Sequence, residues 1–157
     1  MIQDTAQDTS SSPNTISSRD ISFSVVDVIE TVIASLEDGG SAMVNRTNEG
    51  YLWTFRYGSV DVFVQLTGTT DEDTLMVWSS VLTLPVQNEA QLMRMLLEMN
   101  WADTFESRFC ILGDDVVIST TRMVAELSAG EISRNITVVA TIADEQDDRL
   151  AAQFPRA

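Results

Sequence analysis

The strongest constraint on this chain is a Gly58-Ser59 pair set between two strictly alternating segments, Tyr51 to Tyr57 and Val60 to Leu66. Glycine accepts the positive φ that opens a two-residue type II′ turn, so the pair predicts a β-hairpin. Such a turn also fixes register. With residues 57 and 60 paired across it, Tyr51, Trp53, Phe55 and Tyr57 share a face with Leu66, Val64, Val62 and Val60. On the opposite face Arg56 meets Asp61, Thr54 meets Phe63 and Leu52 meets Gln65. One face is apolar and the other mostly polar, the pattern of a half-buried antiparallel sheet.

The remaining segments supply the elements that such a sheet needs. Residues 1–20 are rich in Ser, Thr, Asp, Gln and Asn and carry few large apolar groups, so they predict a disordered tail ahead of a single domain over residues 21–157. From Ser24 to Asp38, Val25, Val28, Ile29, Val32, Ile33 and Leu36 follow helical spacing, and Gly39-Gly40 ends the run. Leu75 to Leu84 reads as a third strand with apolar residues on both faces, Leu75, Val77 and Val81 against Met76, Trp78, Leu82 and Leu84; Pro85 ends it. Asn88 and Gln91 make a variant capping box for a helix bearing Leu92, Met93, Met95, Leu96, Leu97 and Met99. That helix is apolar over more than half its circumference, which implies burial on two sides, against the sheet and against a second copy of the chain. A second hairpin turns at Gly113-Asp114, and a Ser128-Ala-Gly-Glu131 capping box opens a last helix whose Asp144 to Asp148 stretch reads as solvated, with Leu150 and Phe154 docking back.

Composition then removes whole classes of chemistry. All nine cations are arginine, against 24 acidic residues and a net charge of -15, and the sequence has neither histidine nor lysine. It therefore lacks an imidazole base or metal ligand, a Schiff-base amine and a phosphate-loop lysine. The acidic field opposes phosphate backbones and anionic lipid surfaces, so neither nucleic acid nor membrane is an expected partner. Cys110 is the one cysteine, which excludes an intramolecular disulfide. With no signal-like start and no membrane-length apolar run, the expectation is a cytoplasmic protein.

Few residues present themselves as chemical sites. Asp71-Glu72-Asp73 could offer oxygen ligands, but the calcium-loop spacing is absent and a solvated loop explains it; Asp114-Asp115 reads the same way. Asp61 is predicted to pair with Arg56 across the hairpin, and Cys110 has no activating histidine, so neither a carboxylate acid-base pair nor a thiol nucleophile is indicated. The expected catalytic, metal and cofactor sites are none.

Two surfaces stand out as binding candidates. Leu52 and Phe63 project from the hairpin's polar face beside whichever apolar row of the third strand points the same way, which we assign to Met76, Trp78 and Leu82. Either this face is an interface for partners or the last helix or second hairpin covers it. Met93, Leu97 and Met99 are the candidate dimer surface, where flexible thioethers could equally be core filling.

The element order is helix, three strands, helix, two strands, helix. Together with the strand segment Tyr51 to Gly68, Leu84-Pro85, Leu96-Leu97-Glu98-Met99-Asn100 and Arg108 to Asp115, it resembles the YbjN family, whose fold is similar to that of type III secretion chaperones. The resemblance covers about residues 22–154. It implies an α+β domain with a single antiparallel sheet, often dimeric and binding other proteins, without catalytic residues to carry over. The leading expectation is a non-enzymatic chaperone-like or adaptor domain acting as a homodimer on an unknown protein client. The alternative is a sensor module holding a small apolar ligand between sheet and helix, in a cavity lined by Trp53 and Phe55.

Overall fold

The computed structural model describes residues 24–48, 50–125 and 127–157. The segment expected to be a tail lies outside the described residues. The elements are α1 (Val25–Leu36), β1 (Met43–Thr47), β2 (Gly50–Tyr57), β3 (Val60–Leu66), β4 (Thr74–Thr83), α2 (Glu89–Ala102), β5 (Arg108–Leu112), β6 (Asp115–Met123) and α3 (Ala129–Gln153). One antiparallel sheet contains every strand, in the order β1-β2-β3-β4-β6-β5. The expected α+β order holds, with β1 as an additional strand at one edge. All five β1 residues are exposed, so no burial rhythm marks that strand in the sequence.

The β2–β3 register is the one that the turn predicts: Tyr57 pairs with Val60, Arg56 with Asp61, Phe55 with Val62 and Trp53 with Val64. Gly58 has a φ of 53°. The core row then runs through Trp53 and Phe55, Val62 and Val64, Leu75 and Val77, and Ile118. Against it lies α3, whose Ile132, Ile136, Val139, Ala140 and Ala143 are buried in the same cluster. The α1 residues Ile29 and Ile33 extend that cluster, and Leu92 and Leu96 carry α2 into it beside β5.

Helix starts follow local chemistry with one exception. Ser24 caps α1 by accepting from the Asp27 N–H at 3.2 Å, and Ser128 with Glu131 forms the full reciprocal box on α3. Asn88 does not act as predicted. It sits in the left-handed region at φ 57°, its side chain makes no capping bond, and its backbone carbonyl takes the Gln91 and Leu92 N–H groups instead. The left-handed region is one that asparagine enters with little penalty.

The acidic stretch near the end of α3 corrects a second expectation. Asp144 is not simply solvated: its Oδ1 accepts from the Ser59 N–H at 2.8 Å, and the Ser59 hydroxyl, with one proton to give, lies within donating distance of Asp144 at 2.9 Å and of Asp147 at 2.7 Å. These carboxylates fasten the β2–β3 turn to α3. The Ser59 amide, then its hydroxyl, hold the Asp144 carboxyl below the usual aspartate range. Leu150 and Phe154 are both buried in the core.

Candidate functional site

The face of the sheet opposite α3 is built from the alternate residues of the strands that make the core. Register places Phe63 directly across from Trp78 and Gln65 across from Met76, with Leu52 opposite Gln65 and Ser119 opposite Trp78. The Phe63 and Trp78 rings stack at 5.3 Å with 11° between planes, an aromatic pair that fixes both side chains. No described helix lies across this face, because α3 packs on the other one and α2 lies beside β5. Between the two alternatives that the sequence left open, the last helix is therefore not the cover.

Beside this aromatic pair runs a groove of about 340 Å³, lined by Met76, Trp78, Cys110, Leu112, Val117 and Ser119 among others. Its floor is the outer row of β4 and β6, and its far wall is β5. The groove brings together Met76 and Trp78 of the predicted group, with Phe63 stacked on Trp78. Leu52 shares the face one strand away. Leu82 stands apart, since a register shift between Ser80 and Leu82 bends β4 and leaves Leu82 packed against the core and lining a separate cleft with Arg56, Asp61 and Phe63.

Of the candidate dimer residues, Met93 and Met99 are half-buried against the core, whereas Leu97 is 69% exposed. The structure adds Trp101, one helical turn on from Leu97 and 93% exposed. Sequence reasoning missed it because the apolar pattern was followed only as far as Met99; an i, i+4 continuation from Leu97 finds it. Phe105, Ile111 and Leu112 are further exposed apolar groups, on the segment that follows α2 and on β5.

The acidic groups do structural work. Asp73 accepts from the Thr70 hydroxyl at 2.7 Å, the Thr70 N–H at 2.8 Å and the Thr67 hydroxyl at 3.0 Å, and these donors, the Thr70 hydroxyl foremost, lower its pKa. Arg56 and Asp61 form the predicted ion pair at 3.2 Å. Among the described residues no three acidic or cysteine side chains converge as metal ligands would. Cys110 is a free thiol on β5 whose pKa is raised by partial burial. Neither feature offers a reaction centre.

Fold and surface together define a single-sheet α+β domain with an apolar groove on the face that the described helices leave open. The chain belongs to the YbjN family: the model of that family, described as "Putative bacterial sensory transduction regulator", matches residues 26–152. Comparison with curated proteins finds no match. Among solved structures the chain is similar to one in the crystal structure of the ExsC–ExsE complex, at a TM-score of 0.48 and 14% sequence identity, over 79% of this chain and 94% of that one. Among the described residues no helix is long and apolar enough to cross a membrane.

Proposed function

We propose that this chain is a non-enzymatic protein-binding domain, chaperone-like or adaptor, that acts as a homodimer on segments of a client protein. The observation that carries the reading is the outer groove: Phe63, Met76 and Trp78 form a fixed apolar surface with no described helix over it. Aromatic anchors at the centre of an open patch are the usual source of binding energy at protein interfaces. A family described as a sensory transduction regulator fits a domain that acts by contact. For the dimer, the surface formed by Leu97 and Trp101 on α2 is the best-supported contact, with Met93 and Met99 supporting it from beneath.

The small-ligand alternative has less support. Phe55, 1% exposed, is packed within the core, and Trp53, 3% exposed, borders a groove between α1 and β1 that is open to solvent.

Two measurements test the proposal. Affinity purification identifies a client, and calorimetry with the purified client segment then compares the chain with Trp78→Glu. Binding weakened by about 2 kcal/mol or more at unchanged circular dichroism supports the groove, and unchanged affinity removes it. Sedimentation velocity of Leu97→Glu with Trp101→Glu is expected to show a monomer where the parent chain is a dimer; a parent chain that sediments as a monomer overturns the dimer.

A further inference from the structure

The two edges of the sheet are finished differently. At the β5 edge, the Asn100 side chain accepts from the Phe109 N–H at 2.7 Å and donates to the Phe109 carbonyl at 3.2 Å, as a neighbouring strand would. The β1 edge has no such cover among the described residues. Arg56 of β2 donates its N–H to the Ser41 hydroxyl and accepts the Asp38 N–H, so the even-numbered residues of β2 direct their backbone groups toward β1. Antiparallel alternation then turns Met43, Asn45 and Thr47 toward β2, and Val44 and Arg46 away from it. No described residue bonds to the backbone groups of Val44 or Arg46. An unpaired edge of this kind is a template for another strand.

Beside that edge, α1 and β1 frame a groove of about 270 Å³. Its apolar lining includes Ile33, Ala34, Val44 and Trp53, and its carboxylates are Glu30, on α1, and Glu37, the C-cap residue with extended backbone just beyond the helix. Glu30 accepts from the Trp53 indole N–H at 3.3 Å and has only a loose ion pair with Arg46 at 3.8 Å; Glu37 accepts from the Ala42 N–H at 2.6 Å. A carboxylate has about four lone-pair sites, so both retain capacity for a cation.

We propose that the β1 edge is a strand-addition site for an extended segment of a partner protein, apolar and basic at alternate positions. The inference rests on the protein-binding reading and deepens it by naming a second site and the segment's chemistry. The added strand bonds to the outward backbone groups of Val44 and Arg46. Every second side chain, about 7 Å apart, then falls on the groove side, where an apolar one covers Ile33 and Ala34 and a cationic one meets Glu30 or Glu37. A second copy of β1 would also present an apolar and a basic group, Val44 and Arg46, on that side. Local charge decides against it: the Arg46 of a second copy is already paired with that copy's own Glu30, and the copy would bring its own Glu30 and Glu37 beside the groove, whereas a basic segment brings unpaired cations.

The test uses the full chain and two labelled nine-residue peptides, Thr-Val-Thr-Arg-Thr-Val-Thr-Arg-Thr and the same sequence with Glu for Arg, read by fluorescence anisotropy. The basic peptide is expected to bind at least about tenfold more tightly than the acidic one. Val44→Pro removes an outward N–H while leaving the bonds to β2 in place, and is expected to weaken binding about tenfold or more. Glu30→Gln with Glu37→Gln is expected to narrow the preference between the peptides, and Trp78→Glu to leave it unchanged. Equal binding of the two peptides, no saturable binding, or a Val44→Pro variant that binds like the parent overturns the proposal. So does a parent dimer that Val44→Pro dissociates, which assigns the edge to a second copy. If the peptides fail while client binding still depends on Trp78, only the edge proposal falls; if both fail, the protein-binding reading falls with it.

Discussion

Replacing Asn100 by alanine should both destabilise the domain and open its β5 edge. The amide makes two bonds to one backbone unit, at 2.7 Å and 3.2 Å, and Phe109, whose backbone it holds, is only 6% exposed. A hydrogen bond contributes about 0.5–1.5 kcal/mol net, whereas a buried group left without a partner costs about 1–3 kcal/mol, so losing both partners costs about 2–4 kcal/mol. That is a large share of a stability of about 5–15 kcal/mol. At about 2–4 °C per kcal/mol for a domain of this size, the melting midpoint should fall by about 4–16 °C. Equilibrium urea unfolding gives the free energy, and light scattering at rising concentration reports whether the exposed edge self-associates. Asn100→Asp separates the two bonds: it keeps an acceptor for the N–H but sets a carboxylate oxygen against the Phe109 carbonyl, so it should not rescue stability at neutral pH. A loss under about 0.5 kcal/mol for Asn100→Ala, with no added scattering, would mean that water satisfies Phe109 equally well and that the amide does not protect the edge.

Two further outcomes follow from local geometry. Asp144 holds the β2–β3 turn, and its folded pKa lies below the ordinary value. Its contribution is therefore full above the ordinary aspartate range of about 4 and is lost as pH falls through the lower folded value; urea unfolding at stepped pH should show a shallower acid decline for Asp144→Asn than for the parent chain. At Gly50, φ is 121° and an added Cβ would stand 2.1 Å from the Leu66 carbonyl oxygen, which is backbone and cannot swing aside. Gly50→Ala should cost about 2 kcal/mol or more, and clearly more than Gly39→Ala, where φ is also positive but the added atom meets nothing within 4 Å. Equal costs at the two positions would show that backbone conformation alone, without the close approach, sets the penalty.

The hairpin was legible because one turn of fixed length determines the partner of every residue that follows, and the capping box of α3 because its two reciprocal bonds need only residues three apart. The outer row of Met76 and Trp78 was legible for a similar reason: once Leu75 and Val77 are core, their neighbours must face away. What escaped depended on contacts remote in sequence or on conformation with no compositional mark. β1 hides because all of its residues are exposed, and the Asn100 clamp because it joins α2 to β5 across nine residues with no pattern to announce it. Asp144 and Asp147 looked like a solvated run because their partner, Ser59, lies more than eighty positions away in the sequence. Asn88 looked like a cap because the residue type was right; only its left-handed φ shows otherwise.

The distribution of charge bears on how such a domain would choose partners. Its net charge is -15, yet the groove lined by Met76, Trp78, Val117, Cys110 and Ser119 contains no carboxylate. On that face Asp61 is paired with Arg56, and Asp115, opposite Leu112, accepts from the Thr83 hydroxyl at 2.6 Å. If the groove is the client site, long-range attraction and close contact fall to different parts of the molecule: the acidic helices and loops would raise encounter rates with basic partners, while the neutral groove would reward apolar side chains once they arrive. Added salt should therefore slow association at the groove far more than it speeds dissociation. At the β1 edge, by contrast, Glu30 and Glu37 stand within the groove itself, so salt should weaken the bound state there as well. Rates measured over a salt series distinguish the two surfaces without any substitution, because the groove keeps its dissociation rate and the edge does not.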